Sequence, residues 1–194
     1  YWNNKYHKDL FMGINISPKQ LFKDEQLIYH IKEACSIYNA HPRWLDIEIT
    51  EGLSLIQNDY VFNLLSELKE MDTAISLDDF GTGYSSFNTF RYFPFNRIKL
   101  PKQFIEYLER NNHSYRVIKF FMAMSYYLNH RLIIEGVETR EQYEMLREIG
   151  CKEVQGFYFG KPVPAKEFEE RFIKNFPIDI FKIEYKLNKK EGIS

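Results

Sequence analysis

The feature that most constrains this chain is an alternation: short runs rich in β-branched residues, each followed by a longer stretch with helical spacing. The runs are FMGINIS (Phe11 to Ser17), WLDIEIT (Trp44 to Thr50), TAISLDD (Thr73 to Asp79), NRIKL (Asn96 to Leu100), RLIIEG (Arg131 to Gly136) and KEVQG (Lys152 to Gly156). The intervening patterns predict helices near Asp24 to Asn39, Asn58 to Met71, Tyr84 to Tyr92, Ser114 to Asn129 and Thr139 to Ile149, with another near Ala165 to Lys174. TREQ offers Thr139 as an N-cap with Gln142 reaching back, and Gly150 stops that helix. Strands separated by helices pair in parallel through right-handed crossovers.

Side chains alternate between the two faces of a strand. Ile14 and Ile16 oppose Asn15; Ile47 and Ile49 oppose Asp46, Glu48 and Thr50; Ile75 and Leu77 oppose Ser76 and Asp78. Likewise Ile98 and Leu100 oppose Lys99, Ile134 opposes Glu135, and Val154 opposes Gln155. One face suits packing against helices, and the other ends in polar groups. In a β/α barrel the C-terminal strand ends form the reactive face, so Asn15, Glu48, Asp78, Lys99, Glu135 and Gln155 are expected at one mouth.

The stretch LDDFGTGYSSF places Asp78 and Asp79 side by side at the end of an apolar run. Adjacent carboxylates removed from water need a shared proton or a cation. Carboxylates with an amide and a lysine, and no histidine or cysteine, make a hard-cation site suited to Mg²⁺ or Mn²⁺. Two such ions serve phosphodiester hydrolysis, and Lys99 would steady the water or a phosphate oxygen. Each residue alone has a plainer reading. Asp79 could cap the following helix, Glu48 and Glu135 could be solvated strand ends, and Lys99 could be a surface charge. GTG could belong to a dinucleotide fingerprint, but Ser86 stands at the third glycine position and two aspartates would repel a pyrophosphate. Only joint placement favours the metal reading.

Composition narrows the partners. With 26 Lys and Arg against 27 Asp and Glu in 194 residues, a net charge of −1 argues against binding nucleic-acid polymers or acidic membranes. No apolar stretch spans a bilayer and no signal-peptide pattern opens the chain, which points to a cytoplasmic protein. Cys35 and Cys151 read as idle thiols, and His7, His30, His41, His113 and His130 as surface or helix residues. Phe120, Phe121, Tyr126 and Tyr127 form an aromatic helix face expected in the core or at a dimer surface.

NIS at Asn15, EITE at Glu48 to Glu51, DDFGTGYSS at Asp78 to Ser86, IK at Ile98, EGVET at Glu135, and QGF with FGKP at Gln155 to Pro162 stand in the order and spacing of the EAL domain, which this chain resembles from about Trp2 to Lys174. The resemblance implies a TIM-type β/α barrel and a bacterial phosphodiesterase that linearises cyclic di-GMP to pGpG with Mg²⁺ or Mn²⁺. It implies metal ligation by Asn15, Glu48, Asp78, Asp79 and Glu135, with Lys99, Glu48, Asp78 and Glu51 serving catalysis. Glu51 would hold the loop after DDFG and couple metal binding to dimer contacts, while Gln155, Glu138 and Gly81 would support the substrate. A homodimer and an upstream sensory or GGDEF domain are further implied.

Three departures from the family pattern stand out. The Glu-Ala-Leu motif has no counterpart, so the first strands and helix of the barrel are expected to be missing; Pro101 replaces an aspartate; and Ile134 replaces an alanine. They keep open a non-catalytic cyclic di-GMP receptor or protein-interaction module, and because the glutamate of that motif is a metal ligand in the family, the 194 residues alone are expected to lack phosphodiesterase activity. Residues 1–175 are expected to form the domain and 176–194 a tail, in which IDIFKIEYKL has a strand pattern able to close the barrel.

Overall fold

The structure, a computed structural model, describes residues 1–23, 26–50, 59–82, 94–110 and 112–174. Its strands are β1 (Met12–Asn15), β2 (Leu45–Thr50), β3 (Ala74–Asp78), β4 (Arg97–Leu100), β5 (Arg131–Ile134) and β6 (Glu153–Val154). Its helices are α1 (Trp2–Tyr6), α2 (Pro18–Lys23), α3 (Leu27–Ile37), α4 (Asp59–Glu70), α5 (His113–Tyr127), α6 (Arg140–Ile149) and α7 (Ala165–Phe168), which runs on into a wider turn at Glu169–Lys174. The helix expected at Tyr84 to Tyr92 and the strand expected in the tail lie outside the described residues.

Every strand pairs in parallel with the one before it, giving the order β1-β2-β3-β4-β5-β6. In a strictly sequential parallel order every crossover turns the same way, so the helices collect on one face and the sheet curls as a barrel does. A doubly wound dinucleotide fold must reverse its strand order, and this sheet does not. The architecture is TIM-barrel-like, with six strands among the described residues where a closed barrel has eight.

The outward face of the sheet makes the core. Ile47, Ile49, Ile75, Leu77, Ile98, Leu100 and Ile134 are fully buried there, in one cluster with Leu65 and Leu68 of α4, Ile118 of α5 and Leu146 of α6. Burying each such side chain contributes about 1.5–3 kcal/mol. Helix termini are fixed locally: the Asn112 side chain accepts from the Tyr115 amide at 2.9 Å, and Thr139 and Gln142 form a reciprocal capping box. Gly150 ends α6 in the left-handed conformation.

α1 precedes edge strand β1 and packs on the segment that follows the other edge, β6. Trp2 and Phe168 lie 5.0 Å apart between ring centroids, the Trp2 indole donates to Glu169 at 3.4 Å, and the Tyr6 hydroxyl also donates to Glu169. Helices α1 and α2 were not expected from the pattern, being five and six residues long. Fewer than two helical turns carry too little periodicity to register.

One expectation is refined and one needs correction. The aromatic face of α5 is split: Phe121 packs edge-on against Phe80 and Phe104, whereas Phe120, Tyr126 and Tyr127 are exposed. His130 is neither a helix residue nor a surface one. It lies half-buried immediately before β5, hydrogen-bonded to the Phe95 backbone. Burial pushes its pKa below the ordinary imidazole value, the Phe95 hydrogen bond opposes this, and the nearby Lys69 charge adds to the lowering.

A depressed imidazole pKa means that the unfolded chain takes up a proton first as pH falls. The stabilisation is complete above the unfolded pKa of about 6.5 and is lost as pH drops through the folded value. Urea denaturation between pH 7.5 and 5 is therefore expected to show stability falling with pH, with a shallower fall in His130→Gln. Parallel curves for the two proteins would contradict this role.

Candidate metal centre and active site

Register brings the polar strand ends together. Asn15 lies opposite Glu48, Thr50 opposite Asp78, and Lys99 opposite Ile133. The ladders continue past the strands, with the Glu135 amide donating to the Leu100 carbonyl and the Gln155 amide to the Ile134 carbonyl, both at 2.8 Å. Glu135 and Gln155 are thereby held at the same end of the sheet as Glu48, Asp78 and Lys99.

At the centre stands Lys99, only 3% exposed. Its Nζ lies 2.7 Å from Glu135 Oε1, 2.9 Å from Glu48 Oε1 and 3.5 Å from Asp78 Oδ1. Burial alone would lower its pKa, but hydrogen bonds to Glu135 and Glu48 outweigh that and hold it above the ordinary lysine value. Burial raises the Glu135 carboxyl above its usual range; Lys99 pulls it down, and the charges of Asp78 and Glu48 push it up. Lys99 is thus a fixed cation and no general base.

Asp78, Asp79 and Glu135 each offer an oxygen within 4.8 Å of the others'. Neighbours in a regular strand point to opposite faces, but Asp79 adopts a left-handed backbone, φ 54°, just beyond β3, and the two adjacent carboxylates join one group. Aspartate is among the few residues that tolerate that conformation. Asp78 Oδ1 is buried and accepts no hydrogen bond. Three carboxylates, Glu48, Asp78 and Glu135, contact one ammonium, and Asp79 adds a fourth beside Asp78 and Glu135. An all-oxygen, net-negative group with an unsatisfied buried oxygen fits a hard divalent cation.

Glycines let the rim close. Gly136 has φ 73°, and a side chain there would meet Lys102 Cβ at 2.5 Å, so only glycine lets the turn after β5 approach the turn after β4. Lys102 then pairs with Glu138 at 2.7 Å on the rim. Gly81, at φ 88°, leaves room for the Phe104 ring. Pro101 is buried at the end of β4, and its carbonyl accepts from the Phe104 amide at 3.1 Å.

Not every expected residue joins the cluster. Asn15 and Gln155 are exposed at that end of the sheet. Glu138 contacts Lys102 and not Lys99 among the described residues. Glu51 lies outside the described residues. Beneath the cluster is a second polar layer that pattern reading left unassigned: Ser76 Oγ donates to Asp46 at 2.7 Å, and Arg97 pairs with Asp46 at 2.7 Å while its guanidinium stacks on Phe11. Asp46 and Ser76 were legible as inward-facing; their partner Arg97, two residues before Lys99, was the available signal.

Comparison with known proteins agrees with this geometry. The EAL domain family model matches residues 2–162. The signaling protein YkoW of Bacillus subtilis is 37% identical over 173 residues, covering 89% of this chain and 21% of that protein. The bifunctional diguanylate cyclase/cyclic di-GMP phosphodiesterase MucR of Pseudomonas aeruginosa is 32% identical over 166 residues, covering 86% and 24%. The PaMucR phosphodiesterase in complex with c-di-GMP superposes with a TM-score of 0.75 at 32% identity, over 81% of this chain and 70% of that one. Klebsiella pneumoniae BlrP1, solved with manganese or with calcium and cyclic di-GMP, shares the fold at 22% identity, with TM-scores of 0.74 and 0.72; the chain is covered to 83% and 82%, and BlrP1 to 41% in each. The chain thus spans about a fifth to a quarter of the length of these curated relatives.

Because one buried ammonium balances the cluster, its removal should be costly. Lys99→Met, which keeps the volume, is expected to lose about 3–5 kcal/mol in EDTA by leaving the carboxylates uncompensated. Saturating Mn²⁺ should restore part of the loss. Urea denaturation with and without metal checks this; wild-type stability of the variant in EDTA would contradict it.

Proposed function

The chain belongs to the EAL domain family, and from that premise we propose that, within a longer signalling protein, it serves the hydrolysis of cyclic di-GMP to linear pGpG with Mg²⁺ or Mn²⁺, two ions being held. The observation that carries this reading is the cluster of Glu48, Asp78, Asp79 and Glu135 around the buried Lys99, with the Asp78 oxygen left unsatisfied. Relatives named for cyclic di-GMP phosphodiesterase activity, at about a third identity, support the substrate.

In the reaction, water adds to one phosphodiester phosphorus, the bond from that phosphorus to the ribose oxygen breaks, and the released oxygen takes up a proton as a hydroxyl. Asp78, Asp79, Glu135 and Glu48, with Asn15, would hold the metal. Divalent cations at such a site supply acidified water and neutralise charge on the phosphodiester. Lys99, always charged, donates hydrogen bonds to a phosphate oxygen or to the attacking water. Glu48 and Glu135 hold the ammonium in place. The family resemblance assigns Gln155, Glu138 and Gly81 to substrate support and Glu51 to catalysis.

We place the protein in the cytoplasm as the output domain, residues 1–175, of a longer signalling protein, with a sensory or GGDEF domain upstream and a second copy as partner. Among the described residues no helix is long and apolar enough to cross a membrane. A second reading, a non-catalytic cyclic di-GMP receptor, is favoured by Pro101, which puts a buried ring without an N–H two residues beyond Lys99.

Incubation of the longer protein with cyclic di-GMP and Mn²⁺, followed by chromatography for pGpG, separates the two. Turnover is expected, falling by at least about a hundredfold in Asp78→Asn and Glu48→Gln as metal occupancy and water activation are lost. Ca²⁺ is expected to bind without supporting turnover, because its longer, looser coordination places water poorly. Substrate binding without pGpG in Mn²⁺ would establish the receptor reading instead.

A further inference from the structure

The opposite end of the strands carries a second polar concavity. Arg97 and Arg131 are the first residues of β4 and β5 and stand opposite each other in register, so their side chains leave the sheet on the same face. Like charges in that relation repel. Each is drawn away from the other by a carboxylate on its far side: Arg97 by Asp46 of β2, at 2.7 Å, and Arg131 by Glu153 of β6. A cavity of about 340 Å³ opens at this end, lined by both arginines and by Arg43, which lies just before β2. Arg97 is 5% exposed and stacks on Phe11, another lining residue, so the cavity reaches a buried charge. Three lining charges make no ion pair among the described residues: the Arg43 guanidinium and the carboxylates of Asp9 and Asp72. Asn96, also in the lining, accepts from the Ile75 amide at 2.9 Å through its side-chain oxygen, which leaves its NH₂ group as a donor.

We propose that this cavity binds a small zwitterion of the α-amino-acid class. The carboxylate of such a ligand meets the arginines and the Asn96 NH₂ group, since guanidinium and carboxylate match as paired N–H···O bonds. Its ammonium meets Asp9 and Asp72, and Phe11 flanks its side chain. A single sign of charge does not satisfy this lining: a simple anion leaves two carboxylates without partners, and a simple cation leaves Arg43 without one. The volume lies at the low end of the range for ligand sites, which suits a molecule of this size. The site is at the N-terminal ends of the strands, away from the Lys99 cluster, and it does not rest on the metal reading.

Isothermal titration calorimetry of the full chain in EDTA tests this with three probes: L-leucine, L-leucinamide, which has no carboxylate, and 4-methylpentanoate, which has no ammonium. Saturable leucine binding is expected, at least about tenfold tighter than either analogue. Arg43→Ala is expected to weaken leucine about tenfold and leucinamide by less than about twofold. Asp9→Asn combined with Asp72→Asn should weaken leucine and leucinamide together and spare 4-methylpentanoate. These side chains are exposed, and asparagine tolerates the left-handed backbone of position 72, φ 68°, so the variants should keep the parent's urea midpoint. No saturable leucine binding at millimolar concentration, equal affinity for leucine and the analogues, or variants that bind all three probes as the parent does would each overturn the proposal.

Discussion

The ammonium of Lys99, buried among carboxylates at the C-terminal ends of the strands, is the interaction on which the rest of the structure depends. An isolated buried lysine would deprotonate, and isolated carboxylates at this depth would protonate. Here each holds the other ionised, but the balance is incomplete, with more negative than positive charge and one Asp78 oxygen unsatisfied. Burial, with the neighbouring charges of Asp78 and Glu48, raises Glu135, while hydrogen bonds to Glu135 and Glu48 hold Lys99 above the ordinary lysine value. An all-oxygen surplus of this kind fits a hard divalent cation.

Backbone architecture makes the arrangement affordable. A sequential parallel sheet sends all its helices to one side, so the aliphatic residues of β2 to β5 are covered by α4, α5 and α6 and the opposite face is free to be polar. That polar face is layered. Asp46, Ser76 and Arg97 satisfy one another below, and the Lys99 cluster stands one strand repeat higher. The lower layer has its hydrogen bonds complete, as structural networks do, while the upper one does not.

Much of this was legible in the residues because strand periodicity is a one-dimensional signal. Ile47 and Ile49 against Glu48, or Ile98 and Leu100 against Lys99, reveal two faces before any coordinates, and a capping box such as Thr139 with Gln142 is a local event. Side-chain direction is another matter. Placing Glu48 at the mouth did not disclose that it leans over Gly13, because that depends on what the neighbouring strand lacks. Joining Asp79 to Asp78 required a left-handed residue at the strand end, whereas regular alternation would have sent the two apart. Arg97 escaped notice because its partner Asp46 is 51 positions earlier in the chain, and the link exists only through the sheet register. His130 escaped notice because its burial comes from neighbouring elements and leaves no mark in local pattern.

The central claim is that the strand-end carboxylates around Lys99 form a divalent-cation site. Crystals of the protein grown with Mn²⁺, with diffraction collected on both sides of the manganese absorption edge, test it most directly. The account predicts anomalous density bounded by Asp78, Asp79 and Glu135, within coordination distance of the Asp78 oxygen that accepts no hydrogen bond. Ordered crystals at saturating Mn²⁺ with anomalous density only elsewhere, and Lys99 still closing the carboxylate cluster, would contradict it.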